Sequence, residues 1–203
     1  MLFRSDADLF VSQMLRFFGR EYVKRGMVMQ LRFGALHSSN DKTLRAFCPN
    51  ADYGILHGTP MTAELAKLLC YLDHFDGLPR TVLYPLNGVE NSAVASLCGA
   101  FVGSDDGVPR VVQGSAWWLW DGADGLRTQL RSIASLASFG QLLGMPTDSY
   151  CLLSYSRHEY FRRVFCDLLG AWVENGEYPE DEQALSDLVE SVCYKNVKRY
   201  FDF

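Results

Sequence analysis

Paired cysteine motifs are missing from this chain. Its six cysteines stand apart at 48, 70, 98, 151, 166 and 193, with no Cys-x-x-Cys in 203 residues. That spacing suits neither a zinc knuckle nor a disulfide framework, so the thiols read as free, mostly buried groups in a reducing cytoplasm. Clustered charge is missing too. A net charge of −5 with no basic block argues against nucleic acid or an anionic membrane as main partner. No apolar run approaches the roughly 20 residues of a membrane helix. The N-terminus lacks the charged, apolar and small-residue order of a secretory signal. There is no Gly-x-Gly-x-x-Gly after a strand, no Walker loop, no Gly-x-Ser-x-Gly elbow, and no His-x-His or His-Glu-x-x-His. Dinucleotide, nucleotide and serine-hydrolase chemistry are therefore unsupported. The expectation is a soluble cytoplasmic protein.

What is present is an ordinary globular composition, 48% hydrophobic and 21% charged, in a chain long enough to bury a sizeable core. With no internal repeat or low-complexity linker, residues 1–203 are expected to form one domain. Short β-branched or apolar runs alternate with amphipathic helices. A leading helix is expected over Asp6–Lys24, with Leu9, Phe10, Met14, Phe17 and Phe18 on its core face. A strand near Met27–Phe33 follows, then a long loop. Thr59-Pro60 marks the start of a helix to about Phe75. Strand Thr81–Leu86, helix Glu90–Phe101, strand Arg110–Gln113, helix Leu126–Ser138 and a fourth strand, Leu142–Thr147, come next. Helices at about Arg157–Glu174 and Glu180–Tyr200 close the chain. Strand–helix alternation of this kind implies parallel strands joined by crossovers, and the connection lengths suit a (β/α) barrel. Four strands cannot close an eight-stranded barrel. The fold is thus expected to be α/β, either a small open sheet or half of a barrel.

The most informative run is Gly144-Met-Pro-Thr-Asp148-Ser149, followed by Ser156-Arg157-His158-Glu159. A carboxylate just past a buried strand can ligate a divalent metal or act as general base, because strand ends converge on one mouth. Asp148 and Ser149 can equally cap a turn. Ser156 and Glu159 have the spacing of a capping box, which would start a helix there and bring Arg157 and His158 to the same mouth. Trp117 and Trp118, in Gly114-Ser-Ala-Trp-Trp118, can floor a sugar site or simply fill the core. Arg32, at the end of the first strand, can clamp a carboxylate in bidentate fashion or serve as an ordinary ion-pair partner.

Several motifs in order resemble the C-terminal half of the uronate (glucuronate) isomerase family, an outlying branch of the amidohydrolase superfamily. They are Val28-Met-Gln-Leu-x-x-Gly-Ala, Leu83-Tyr-x-Leu-Asn87-x-x-x-Asn91, Gln113-Gly-Ser-Ala-Trp-Trp118, Gly144-Met-x-Thr-Asp-Ser149 and Leu153-Ser-Tyr-Ser-Arg-His-Glu-Tyr-Phe-Arg-Arg163, with Asn175-Gly-Glu-Tyr-Pro179 before the last helix. The resemblance implies part of a (β/α)8 barrel. It implies interconversion of D-glucuronate with D-fructuronate, or D-galacturonate with D-tagaturonate. Asp148 matches the family's aspartate after the last strand, a metal ligand and candidate proton shuttle, and Ser149 matches its neighbour at the substrate. Trp117, Trp118, Arg157, His158 and Arg32 are the further substrate-binding candidates. A divalent metal, zinc first, a uronate substrate and a homo-oligomer are implied. Three positions depart from the family. Tyr150 stands where Arg is usual, Arg32 where His is common, and His37 where Arg is usual. The family's His-x-His metal pair lies in an N-terminal half, so this chain is expected to be a fragment, inactive alone, with Met1–Ser5 non-native. The rival readings are a metal-dependent hydrolase on the same barrel, and a non-catalytic half-barrel interaction module.

Overall fold

A computed structural model describes residues 6–37, 39–40, 42, 45–46, 54–75, 77–103, 107–116, 118–146, 149 and 151–203, the side chain of Trp118 excepted. A three-stranded parallel sheet lies at its centre, in the order β1 (Met29–Phe33), β4 (Thr81–Pro85), β5 (Val111–Gln113). Met29 is in register with Thr81, and Thr81 with Val111. All three strands therefore end on the same side. A two-residue hairpin, β2 (Ala35–Leu36) with β3 (Ile55–Leu56), follows β1.

The helices are α1 (Asp6–Lys24), α2 (Thr62–Phe75), α3 (Asn91–Ala100), α4 (Ala123–Leu136), α5 (Ser156–Glu174), α6 (Glu182–Glu190) and α7 (Asn196–Phe201). A π turn, Ser191–Lys195, joins the last two, so the expected single terminal helix is interrupted at its middle. Period-2 alternation sorts the strands. Met29, Phe33, Leu83 and Val111 pack on the α2 and α3 side with Leu69, Leu72 and Val94. Val82, Tyr84 and Val112 point to the opposite, concave face, where Tyr200 and Phe201 from the chain's end cover them. A third cluster joins α4, α5 and the last helical segment through Leu130, Phe165, Leu168 and Val192.

Four further expectations need correction. No strand forms over Leu142–Pro146; Thr147 lies outside the described residues. The Leu142 carbonyl is taken by Asn196 Nδ2 at 2.8 Å, which also holds the Gly140 carbonyl at 2.7 Å, so a side chain occupies what a strand neighbour would need. The Ser156–Glu159 capping box does not form. A 3₁₀ turn, Leu152–Tyr155, runs straight into α5, Ser156 Oγ donates back to the Leu153 carbonyl, and Glu159 pairs with Arg163. Helix α2 begins at Thr62 and is capped from afar, because Glu90 Oε1 accepts the Met61 and Thr62 amides at 2.6 and 3.2 Å. Finally, the apolar stripe of α1 is not buried: Leu9, Phe10, Phe17 and Phe18 are exposed, and Gly19 is the helix's buried residue.

Candidate active site

Beyond the C-terminal ends of β4 and β5 the chain has to turn, and buried polar groups hold the turns. Asn87 Oδ1 accepts the Val89 amide while its Nδ2 donates to the His57 carbonyl at 2.9 Å, tying the β4 loop to the loop after β3. Behind β5, Gln129 of α4 donates to the Gly114 carbonyl and to Asn91 Oδ1, and its Oε1 accepts the Ala116 amide. Gln113 donates to the same Asn91 oxygen at 3.1 Å. Buried amides that are paired in this way specify one backbone path. The Gly114-Ser-Ala run is therefore fixed where it leaves the sheet.

On the concave side this path walls a cavity of about 370 Å³. Gln30 of β1, Tyr84 of β4 and Ser115 past β5 form the sheet side; Met145, His158 and Lys198 come from the later segments. Tyr84 Oη donates to Gln30 Oε1 at 3.2 Å. The Ser115 hydroxyl is buried and has no hydrogen-bond partner among the described residues. A buried orphan hydroxyl in a cavity wall is where a ligand's polar group would be recognised, since leaving it unpaired costs roughly 1–3 kcal/mol.

The structure brings only some of the expected residues together. His158 lines the cavity. Arg32 is exposed on the concave face of β1, its guanidinium carbon 5.7 Å from the centre of the Tyr84 ring. Arg157 does not line the cavity; it is ion-paired with Asp121. Ser149 Oγ accepts the Cys151 amide at 3.2 Å and bonds Ser154 Oγ at 2.6 Å, the local role of a turn residue. Asp148, Trp117 and Tyr150, and the side chain of Trp118, lie outside the described residues. The sequence reading missed Gln30, Tyr84, Ser115 and Lys198 as cavity residues. Strand alternation from the exposed Arg32 would have reached Gln30, but nothing local signals Lys198.

No group of three or more His, Cys, Asp or Glu side chains among the described residues is placed to hold a metal ion. That part of the chain does not fit a divalent metal by itself. Nor is any described helix long and apolar enough to cross a membrane.

The chain is 42% identical to the uronate isomerase of Bacillus licheniformis over 195 residues, 96% of this chain and 41% of that one. It is 43% identical to that of Lachnospira eligens over 185 residues, 91% and 39%. A crystal structure of uronate isomerase from Thermotoga maritima superposes with a TM-score of 0.81 at 32% identity, covering 93% of this chain and 40% of that one. The chain thus spans about two fifths of the length of the curated relatives it matches. Its α/β architecture is that of the C-terminal part of their barrel. With the glucuronate isomerase family model matched from residue 2 to residue 201, this chain belongs to that family.

Proposed function

We propose that the chain is the C-terminal part of a cytoplasmic uronate isomerase acting on D-glucuronate, and on D-galacturonate by the same chemistry. The observation that carries this is the continuous family match over residues 2–201, laid on a fold whose strand ends border a cavity. Aldose–ketose isomerisation moves a proton between C2 and C1 through an enediol. It needs a base, an electrophile on the carbonyl oxygen and a cation for the carboxylate. His158 and Lys198 supply titratable and cationic groups at the cavity wall, and Arg32 stands on the same concave face. Tyr84 and Ser115 supply hydroxyls for sugar oxygens.

Asp148 is proposed as proton shuttle and as this chain's one contribution to a divalent metal site, with Ser149, Trp117 and Trp118 beside the substrate. A catalytic zinc site takes about three protein ligands, so most of the set must come from outside the described residues. The acidic balance, without a basic block, supports a small-molecule substrate rather than nucleic acid or a membrane surface, and a homo-oligomer is the proposed assembly.

The test is a chimera. Residues 29–203 replace the matching segment of the Bacillus licheniformis uronate isomerase, and ketose formation from D-glucuronate is followed. An active chimera that loses most of its rate on Ser115→Val is the expected result. A folded, soluble chimera with no ketose product, or one that hydrolyses an ester or amide panel instead, would overturn the reading.

A further inference from the structure

The cavity beyond β4 and β5 is lined by one sign of charge. Lys198 and His158 are its basic side chains, and among the described residues no Asp or Glu stands on the wall. The whole chain is acidic, with a net charge of −5, so the cavity runs against the overall balance. Much of the remaining lining is apolar, from Leu143, Met145, Val197, Phe201 and Phe203. A cation beside low-dielectric walls attracts an anion more strongly than one in open water.

Other cations of this region are committed elsewhere. Arg157 pairs with Asp121, Lys195 with Glu190 at 2.7 Å, and Arg80 with Asp202 at 2.9 Å. Arg199 donates to the Gln141 side chain. Arg32 stands on the concave face without lining the cavity. Lys198 makes no ion pair among the described residues; its ammonium lies 5.4 Å from the centre of the Tyr194 ring, four residues back. That ring braces the flexible stem without neutralising its charge. The Lys198 ammonium and the buried, unpartnered Ser115 hydroxyl are therefore two donors with nothing to donate to, lining one cavity. A ligand that answers both offers oxygen acceptors at two places, and the one at Lys198 is negatively charged.

We propose that Lys198 is the residue that selects an acid sugar over its neutral counterpart, holding the sugar's carboxylate while another oxygen of the same molecule meets Ser115. This inference rests on the functional reading above, and it assigns the carboxylate to Lys198 rather than to Arg32. Lysine grips a carboxylate as a point charge, where arginine would use a bidentate fork. The contact is therefore tolerant of angle, dependent on charge and weakened by salt.

The probes are D-glucuronate and D-glucose, which differ by a carboxylate against a hydroxymethyl group. Each is titrated into the 203-residue protein, with binding followed by ligand-detected NMR. D-glucuronate should bind saturably, roughly tenfold or more tighter than D-glucose, and more weakly as salt rises. Lys198→Met should bring D-glucuronate down to the level of D-glucose, leave D-glucose where it was and remove the salt dependence. Lys198→Arg should restore most of the selectivity. Lys195→Met deletes the same charge three residues away, on a side chain outside the cavity lining, and should change neither affinity. In the chimera, Lys198→Met should raise KM for D-glucuronate more than it lowers kcat, because the carboxylate is held alike before and during the reaction. No saturable binding of D-glucuronate, an equal loss for both sugars, or a Lys195→Met variant as damaged as Lys198→Met would each overturn the proposal. An inactive chimera whose affinity for D-glucuronate still depends on Lys198 would uphold the carboxylate site and count against the functional reading. An active chimera indifferent to Lys198→Met would do the reverse.

Discussion

Gly114, one residue past β5, lies against the ring of Tyr84 on the adjacent strand so closely that an added Cβ would overlap the ring carbon Cε1. Both residues line the cavity, so the contact sets the wall's shape as well as its packing. Gly114→Ala must push the Tyr84 ring aside, and with it the bond to Gln30. A destabilisation of about 1–3 kcal/mol is expected, the usual cost of overpacking. Urea unfolding would show the midpoint falling at an unchanged slope. A neutral substitution would mean that the ring can move freely.

Gln129 concentrates three hydrogen bonds in one buried side chain. Gln129→Ala strips partners from the Ala116 amide, the Gly114 carbonyl and Asn91 together. The expected loss is about 2–4 kcal/mol, because each orphaned buried group keeps its desolvation cost. Thermal melts of the two proteins would measure it. If Gln129→Glu proved as stable as wild type at neutral pH, the donor role of Nε2 would be refuted.

Alkaline pH should unfold the protein early. Burial pushes the Cys98 thiol up to about 12. Burial also raises the Tyr200 hydroxyl. Both groups have folded-state values above their unfolded ones, so both favour the folded state fully at low pH. That stability is lost as pH climbs from about 9 towards 12, when the unfolded chain releases protons that the folded chain keeps, at up to about 1.4 kcal/mol per pH unit for each group. Cys98→Ala should flatten the slope of stability against pH above 9. An unchanged slope would show that Cys98 is not held neutral.

Thiol labelling should be graded. Among the described residues Cys70, Cys151 and Cys166 are exposed, against the expectation of mostly buried thiols, while Cys193 is half-buried and Cys98 buried; Cys48 lies outside them. Cys70, Cys151 and Cys166 should react first with an aromatic disulfide reagent, Cys193 more slowly, and Cys98 only on unfolding. Mass spectrometry of time points would identify the order.

Ser156→Ala offers a contrast. Its hydroxyl bonds the Leu153 carbonyl in an exposed turn rather than capping α5. The change should therefore stay within about 0.5 kcal/mol, where a true cap would cost roughly 1 kcal/mol. A loss near the larger figure would restore the capping box.

Helix and strand positions were legible because period-3.6 and period-2 patterns are local: Asp6–Lys24 forms as read, and Met29–Phe33, Thr81–Pro85 and Val111–Gln113 fall inside the expected runs. What failed depends on distant partners. Leu142–Pro146 has a strand's composition, but Asn196, 54 residues on, takes its first carbonyl. Helix α2 takes its cap from Glu90, a buried carboxylate that lies beyond the helix's far end in sequence. The stripe on α1 is amphipathic by any local measure, and burial needs a surface to meet. In the site, His158 could be read from the helix start, while Arg32 lies on the same face of the sheet without lining the cavity. Ser115 sat unremarked inside a quoted motif, and Lys198 reaches the cavity through tertiary packing.

The docking of Tyr200 has a consequence for how the chain is made. Its hydroxyl meets the carbonyls of Thr81 and Arg110 at 3.0 Å, and Arg80 reaches the Tyr200 carbonyl and Asp202 at 2.9 Å, contacts spanning 90 to 122 residues. Synthesis delivers the strands first, at about 5–20 residues per second, and the residues that dry their inner face much later. For several seconds a nascent chain holds Val82, Tyr84 and Val112 wet. Residues 196–203 act as a latch on the sheet's inner face, and the cluster of Val82, Tyr84 and Val112 closes around Tyr200 only when that segment has been made.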